Sequence, residues 1–376
     1  LLAAVGLDAQ VTTASMAGKV TDASNEPIIG ATVQAVHQPS GSRYGTVTNV
    51  DGRYSIQGMR TGGPYRVEIS YIGYQTVIYK DITLQLGEVY NLNVEMSESS
   101  ELLNEVIVTA AKTKFTAEKT GATTNISSAQ ITQLPTVNRS ISDIARLSPY
   151  ANGMSFAGGD GRSTNFTIDG ANFNNNFGLS SNLPGGGNPI SMDAIEEVQV
   201  VVAPFDVRQT NFIGGGINAI TKSGTNTFRG TAYTYYRNQD MRGNRINGED
   251  LGARSDESKT TYGFTLGGPI IKNKLFFFVN YEKEKTPGEV IKYRAREDGE
   301  DAKGMVSRTL KSDMEKVYNH LKDKYGYDAG SYTNFPADEE NTKLLARIDW
   351  NITDRHRLSL RYNNTKNTAK IGRAHV

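Results

Sequence analysis

Short runs of alternating apolar and polar residues occupy residues 16–96, and turn residues separate them. Each run can form one short strand, and the runs read AGKVTD, ATVQAVH, GTVTNV, GRYSIQ, YRVEISYIGY and YNLNVEM. About seven such strands with frequent turns predict an Ig-like or transthyretin-like β-sandwich. Its core should contain the apolar members of the alternation, which are Val33, Tyr54, Ile56, Val67 and Ile69.

One turn within this region carries a specific prediction. Asp51-Gly52 lies between two alternating runs. Glycine tolerates the positive φ that a type I′ turn requires, and Asp-Gly is a strong hairpin signal. We therefore expect the runs on either side to pair as a hairpin.

Residues 226–370 show a longer alternation, in runs of about ten residues. The runs lie at 229–237, 260–268, 275–285, 342–352 and 358–363. In the last run, Leu358, Leu360 and Tyr362 alternate with polar residues. Connections alternate between short, at 269–273 and 353–355, and long, at 238–259 and 286–341. This pattern predicts the first strands of a transmembrane β-barrel. The barrel would be incomplete, since barrels with a plugged lumen have about 22 strands.

The second long connection contains a helical pattern. Leu310, Met314, Val317 and Leu321 recur at helical spacing. This spacing predicts an amphipathic helix whose apolar stripe packs on neighbouring loops, with a moving lid as the alternative.

Residues 111–225 mix short helices and strands, so we expect an α+β domain. Ser127 can cap one helix, and a second is expected over 138–147 before Pro149. Glycine-, asparagine- and serine-rich loops, notably 172–188, connect strands expected at 164–169, 197–202 and 217–222.

A short β-branched segment follows the polar linker at 97–103. It reads NEVIVTA and occupies residues 104–110. Such a segment on a tether can add as a strand to the sheet edge of another protein, where main-chain hydrogen bonds supply affinity. The alternative is an ordinary strand.

Composition and charge exclude some of the functions that the chain could have. The formal net charge is +1, which opposes nucleic-acid binding. Cysteine is absent, so disulfides and thiolate metal sites are excluded. No stretch approaches the roughly 18 apolar residues of a membrane-spanning helix, and the mean hydropathy of −0.47 is compatible with barrel strands.

Catalytic motifs are lacking in the sequence. The histidines at 37, 320, 356 and 375 form no HExxH motif and are expected to be solvated in loops or turns. Gly-x-Ser-x-Gly does not occur. The glycine runs at 158–161 and 185–187 lack the Lys-Ser/Thr of a phosphate loop. We therefore expect no enzyme, cofactor or metal. Asp160, Asp169 and 172–176 could ligate calcium, but their spacing matches no EF-hand.

The two ends of the chain have their own interpretations. Residues 1–9 (LLAAVGLDA) resemble the tail of a secretory signal peptide with cleavage after Ala9, and an apolar first strand is the alternative. Residues 371–376 (IGRAHV) are the translation of the adapter read ATCGGAAGAGCACACGTC. We expect these six residues to be a sequencing artefact.

Several motifs carry a resemblance to known families. GKVTD at 18–22, PIIGATV at 27–33 and TNVDGRYSI at 48–56 resemble the carboxypeptidase-regulatory-like domain, over 16–96. NFTIDG at 165–170 and GGGINAITK at 214–222 resemble the plug of TonB-dependent outer-membrane receptors. SGTNTFRG at 223–230 and GGPII at 267–271 resemble their Oar-like branch.

This resemblance implies an organisation and a function. It implies a sandwich at 16–96 in the periplasm, a linker and Ton box at 97–110, a plug at 111–225 and barrel strands at 226–370. The Ton box would bind TonB, which the ExbB/ExbD complex energises, and barrel strands would contact outer-membrane lipid. Ligand would then cross the outer membrane. The implied TonB-binding residues are Asn104, Glu105, Val106, Ile107, Val108, Thr109 and Ala110.

Two alternatives stay open. A SusC-like glycan importer would act with a surface lipoprotein, and the motifs at 223–230 and 267–271 favour the Oar-like branch over it. A surface adhesin built from β-sandwiches is opposed by the plug-like motifs and by the alternation of short and long connections.

Overall fold

A computed structural model of the chain divides into two compact units. The first comprises Leu1–Thr231, Thr265–Asn280 and Leu344–Asn364, and the second comprises Ala232–Phe264, Tyr281–Lys343 and Thr365–Val376. The structure describes residues 11–98, 106–109, 122–136, 138–174, 183, 187–202, 209, 213–252, 257–287, 293–330 and 337–369. The predictions for 1–9 and 371–376 fall outside these residues.

The N-terminal region is a two-sheet sandwich, as predicted. Its strands are β1 Ala14–Asp22, β2 Thr32–His37, β3 Ser42–Val47, β4 Arg53–Met59, β5 Gly62–Ser70, β6 Val77–Leu84, β7 Val89–Asn91, β8 Val94–Met96 and β9 Val106–Thr109. One sheet has the order β3-β2-β5-β6-β9, and the other has the order β4-β1-β7, with β8 also on β1. All five predicted core residues are buried. Strand β6 was not among the predicted runs.

The hairpin predicted at Asp51-Gly52 is wrong. Strand β3 ends at Val47 and lies in one sheet, whereas β4 pairs with β1 in the other. The chain crosses between the sheets in a turn that Asn49 holds, since its side-chain oxygen accepts from the backbone N–H groups of Asp51 and Arg53. Gly52 has a φ of +70°, and a Cβ there would lie 2.6 Å from the carbonyl oxygen of Val20. Glycine is therefore required for this crossing rather than for a hairpin.

The prediction of solvated histidines is wrong for His37. Its side chain is 6 % exposed, because the end of β2 turns it towards Tyr65, whose ring centroid lies 4.9 Å away. His37 Nδ1 is 2.7 Å from Ser40 Oγ. Burial, with the nearby positive charge of Arg60, lowers the pKa of His37 to about 3. His320 and His356 are exposed, as expected, and residue 375 lies outside the described residues.

The middle region has the predicted α+β composition. Its elements are β10 Ala122–Ser127, α1 Ser128–Gln133, α2 Ile141–Ala145, β11 Ala151–Asn152, β12 Ser155–Phe156, β13 Asn165–Ile168, β14 Ala171–Asn172, β15 Ile195–Val202 and β16 Gly215–Thr221. The order β10-β15-β16-β13-β14 forms its main sheet. Ser127 precedes α1, and its backbone N–H donates to the side chain of Gln130, which confirms the predicted helix start.

The C-terminal region forms the long strands that the sequence predicts. They are ordered β17-β20-β21-β24-β25 in one sheet, where β17 is Arg229–Asn238, β20 Ser258–Ile271, β21 Leu275–Thr286, β24 Glu339–Asn351 and β25 Arg357–Ala369. Between them lie β18 Arg245–Ile246, β19 Glu249–Asp250, β22 Arg294–Arg296 and β23 Val306–Leu310. Tyr262, Phe264 and Leu266 are exposed along β20, while Thr261 before them and Thr265 between Phe264 and Leu266 are buried. The alternation therefore runs apolar-out and polar-in, as expected.

The predicted loop helix is present as α3, Lys311–Tyr325. It ends at Gly326, whose φ of 63° gives the left-handed conformation common at helix C-termini. No residue of α3 is fully buried: Met314 and Leu321 are half-buried, whereas Val317 is 60 % exposed. The helix contacts β22 and β23, so the expectation that its apolar stripe packs on neighbouring segments is met only in part.

Helices long and apolar enough to cross a membrane do not occur within the described ranges.

Candidate functional site

The candidate TonB-binding segment forms a strand on the sandwich. Residues 106–109 constitute β9, which pairs in parallel with β6. The Cα partners are Val77 with Val106, Ile78 with Ile107, Tyr79 with Val108 and Lys80 with Thr109. The remaining candidate residues, 104, 105 and 110, lie outside the described residues.

Two features of β6 bear on this pairing. Asp81 follows Lys80 directly and has a φ of 62°, which is uncommon for a residue other than glycine. Strand β6 continues beyond it to Leu84. Ile78 is 1 % exposed yet is not a member of the sandwich core, whereas Val77 and Tyr79 face that core. Strand β6 therefore carries a buried apolar residue on its outer face, at the register position of Ile107.

The sandwich contacts the middle region through Leu86. Its backbone N–H donates to Glu197 Oε1 at 3.0 Å, and its carbonyl oxygen accepts from Gln199 Nε2 at 2.6 Å. The Leu86 side chain is buried in a small apolar cluster with Val11 and Ile220. These contacts join a sandwich loop to strands β15 and β16. The sequence offered no signal for them.

A cluster of charges joins three parts of the first unit. Asp169, after β13, accepts a hydrogen bond from the Thr221 hydroxyl and pairs with Arg361 at 3.4 Å. Arg347 lies 3.8 Å from the Asp169 carboxylate and 2.8 Å from that of Asp349. Arg60 of the sandwich lies 3.7 Å from Asp349. We name the five charged residues, Arg60, Asp169, Arg347, Asp349 and Arg361, the charge junction.

The charge junction occupies Asp169, one of the residues predicted as a possible calcium ligand. The Asp169 carboxylate already has two arginines and a hydroxyl as partners, and Asp160 pairs with Arg162. Guanidinium groups around a carboxylate neutralise the charge that a cation would need. Among the described residues, no group of three or more potential ligands is placed to hold a metal ion.

A second set of contacts holds the sandwich against the ends of β24 and β25 and against the segment before β17. Ser42 lies 3.0 Å from Asn351 Nδ2, and the Arg357 guanidinium stacks 3.9 Å from the ring centroid of Tyr44. A guanidinium over an aromatic ring is a favourable cation–π contact. The backbone N–H of Asn226 also donates to the carbonyl of Pro39. Unlike the charge junction, these contacts involve the ends of the long strands.

The long strands also support the middle region directly. Phe278 of β21 and Leu345 of β24 belong to the same apolar core as Phe166, Val198 and Ile217. Within the second unit, Glu282 accepts from Lys343 Nζ and from Tyr233 Oη, both at 2.8 Å. Along β24, the buried apolar Leu345 thus lies between the buried charged residues Lys343 and Arg347.

Two family models match parts of the chain. Residues 15–97 match the carboxypeptidase regulatory-like domain, and residues 220–290 match an outer membrane β-barrel domain. Together with the fold, these matches confirm the predicted sandwich and barrel strands.

A characterised relative is similar over almost the whole chain. The TonB-dependent transporter Oar of Myxococcus xanthus is 25 % identical over 388 residues, which cover 96 % of this chain and 34 % of the relative. The chain therefore spans about a third of the length of that relative. The chain is therefore similar to a TonB-dependent transporter, and its match to an outer membrane β-barrel domain indicates the outer membrane as its location.

Two solved receptor structures are similar over part of the chain. The siderophore receptor PirA from Pseudomonas aeruginosa has a TM-score of 0.44 and 17 % identity, with coverage of 67 % of this chain and 35 % of that one. The transporter YddB from Escherichia coli has a TM-score of 0.43 and 18 % identity, with coverage of 65 % and 33 %.

Proposed function

We propose that this chain is the N-terminal part of an Oar-like transporter that moves a ligand across the outer membrane with energy relayed by TonB. Residues 16–96 form its periplasmic sandwich, 111–225 its plug and 226–370 its first barrel strands. TonB binds at 104–110 and pulls on the plug, and ExbB/ExbD energise TonB.

The position of β9 carries this proposal. A β-branched strand of four residues, Val106–Thr109, lies in the chain between the sandwich and the middle region. Among the described residues it is the last strand of its sheet, so one of its edges has no strand partner there. An unpaired edge on a short tethered strand suits recognition by strand addition.

The contacts of the middle region support its role as a plug. Its apolar core includes Phe278 and Leu345 from the inner face of the long strands, and Asp169 is bound by arginines of β24 and β25. A domain held by side-chain contacts of this kind can be displaced without breaking the sheet that it packs against. This is the property that transport through a plugged lumen requires.

Substitution of Ile107 tests the proposal. Ile107→Pro in the complete gene removes a backbone donor and restricts φ, so we expect loss of binding to the purified periplasmic domain of TonB. Receptor abundance in the outer membrane should stay near normal. Ile107→Val is the matched control, because it keeps β-branching and should bind TonB normally.

The alternative role of 104–110 as a structural strand gives the opposite result. In that case Ile107→Pro lowers the amount of folded receptor, and the receptor that remains binds TonB normally. That outcome would contradict the proposal.

A further inference from the structure

The sandwich contacts two parts of the first unit, the middle region and the long strands, which have to separate if the middle region is a plug that moves. On one side, the main chain of Leu86 is bonded to the side chains of Glu197 and Gln199 in β15. On the other side, Arg60 lies 3.7 Å from Asp349 of β24. The sandwich therefore bridges the middle region and the long strands.

The two sides of this bridge differ in chemistry. The Leu86 side chain is buried with Val11 and Ile220, so separation from the middle region would expose apolar surface to water. The contacts with the long strands are made by charged and polar side chains, among them Arg60 and Asp349. Water can replace the partners of polar groups, but apolar contacts have no such substitute. We therefore expect the sandwich to separate from the strands more readily than from the middle region.

Arg60 is the sandwich residue that reaches the charge junction. Its backbone N–H donates to the hydroxyl of Tyr44 at 3.1 Å, and its carbonyl oxygen accepts from the hydroxyl of Tyr65 at 2.7 Å. Tyr65 is fully buried, so the packing of the sandwich core fixes the backbone from which the guanidinium extends. The guanidinium lies beside Asp349 and donates to Ser223 Oγ at 3.2 Å. The position of Arg60 in the charge junction therefore follows that of the sandwich.

The loss of Arg60 would change how the charge junction holds the middle region. Arg347 is shared by two carboxylates, at 2.8 Å from Asp349 and 3.8 Å from Asp169. Arg60 is a second cation beside Asp349, so it supplies part of the charge that neutralises this carboxylate. Without Arg60, Arg347 is drawn more strongly to Asp349 and less to Asp169. Because Asp169 belongs to the middle region, departure of the sandwich loosens that region as well.

We propose that the sandwich is a brace between the plug and the first barrel strands. It moves with the plug, and it must leave the strands, with release of Arg60 from Asp349, before the plug can be displaced. This inference rests on the proposed function, because it takes the middle region as a displaceable plug.

A reversible cross-link between the sandwich and the strands tests the brace. The backbone N–H of Asn226, just before β17, donates to the carbonyl oxygen of Pro39 at 2.8 Å, which places the two Cα atoms within the range that a disulfide spans. This chain contains no cysteine, so Pro39→Cys with Asn226→Cys is made in a complete receptor without other cysteines and purified in detergent. Hydrogen exchange in mild urea, followed by mass spectrometry on β13 and β16, should be about tenfold slower in the oxidised receptor. Reductant should restore the faster exchange.

A link on the other side of the sandwich is the matched control. Asn125 Nδ2 donates to Glu88 Oε1 at 3.1 Å, so Glu88→Cys with Asn125→Cys can be joined by a short bismaleimide. If the sandwich moves with the plug, this link leaves the exchange of β13 and β16 unchanged. Three results overturn the inference: equal slowing by the two links, no disulfide between positions 39 and 226, or a disulfide that leaves the exchange unchanged.

Removal of the Arg60 charge should have the opposite effect from the disulfide. Arg60→Gln should speed the exchange of β13 and β16 by about tenfold, and Arg60→Lys, which keeps the charge, should return most of the original rate. Exchange in β5 should not change, and an equal rise there would mean that Arg60 acts within the sandwich fold and that the inference fails. Arg66→Gln is the control, because Arg66 pairs with Glu68 inside the sandwich. Unchanged exchange of β13 and β16 in Arg60→Gln would contradict the brace.

Exchange in the long strands separates this inference from the proposed function. If β13 and β16 exchange only together with β21 and β24, the middle region is not displaced on its own, and the plug assignment and the brace both fail. If β13 and β16 exchange first and the disulfide has no effect, the plug assignment survives and the brace is overturned.

Discussion

The sandwich and the long C-terminal strands share one period of alternation but bury opposite residues. In β5 of the sandwich, Tyr65, Val67 and Ile69 are 0 % exposed. In β25, Leu358, Leu360 and Tyr362 are 52, 65 and 56 % exposed. A period of two predicts a strand in both regions, but it does not say which face meets the core. The character of the connections makes that distinction, because β1 and β5 of the sandwich, with nine residues each, are as long as transmembrane strands of about 9–11 residues.

The largest expected effect comes from placing a charge in the sandwich core. Residues 10–97 should form a soluble, folded monomer, because the core cluster draws on residues between Ala14 and Met96. Ile69→Asp buries an unpaired carboxylate, which should cost more than about 4 kcal/mol and unfold the domain. Circular dichroism and analytical ultracentrifugation of the 10–97 fragment measure this. Glu68→Ala on the other face is the control, and a folded Ile69→Asp fragment would contradict the assignment of this core.

A charge placed on the outer face of the long strands should also be unfavourable, but because that face meets lipid rather than a protein core. Leu360→Arg leaves a charge on a face that is exposed to lipid in the complete receptor. We expect a cost of about 2–4 kcal/mol near the bilayer midplane and less receptor in the outer membrane. Quantitative immunoblots of membrane fractions measure receptor abundance, with Leu360→Phe as the apolar control. Normal abundance of the arginine variant would mean that this face meets water, as in the adhesin alternative.

Much of the fold follows from the sequence, because strands and helices express local patterns. The starts of α1 and β21 and the presence of α3 were predicted from capping and periodicity. The hairpin at Asp51-Gly52 was not, because a glycine with positive φ serves a sheet-to-sheet crossing as well as a hairpin. The charge junction was not either, since it brings Arg60, Asp169 and Arg361 together from distant parts of the chain.

The candidate site shows the same division. The sequence predicts the extended conformation of 106–109 from its β-branched residues, and the structure agrees. Its pairing partner could not be predicted, because β6 contains charged residues at Lys80 and Asp81 and does not alternate regularly. Strand pairing depends on which edges are free after folding, which no local pattern contains.

Acid should destabilise the sandwich through its buried His37. Among the described residues, the long strands contain no buried histidine. The pKa of His37 is lowered to about 3 in the folded state, against about 6.5 when unfolded. Its contribution to stability is therefore complete above pH 6.5 and is lost as the pH falls towards 3. Between pH 6.5 and 4.5 we expect the 10–97 fragment to lose about 2–3 kcal/mol. Urea denaturation across this range measures the loss, and His37→Asn should show a smaller pH dependence.

The smallest effects are expected for Phe substitutions of two aromatic residues, one in the sandwich core and one on the outer face of β24. Tyr54 lies in the sandwich core, where its hydroxyl donates to the carbonyl oxygen of Leu92 at 2.8 Å. Tyr54→Phe should cost about 1 kcal/mol in the 10–97 fragment, because it removes a buried hydrogen bond and leaves the carbonyl without this donor.

Trp350 is exposed on the outer face of β24, and Trp350→Phe keeps an apolar aromatic ring there. We expect receptor abundance with Trp350→Phe to stay near normal. Urea denaturation of the fragment and immunoblots of the membrane fraction give the two values. The comparison would be reversed if Tyr54→Phe left the stability of the fragment unchanged while Trp350→Phe strongly reduced receptor abundance. Inward packing would then matter less than the outward face.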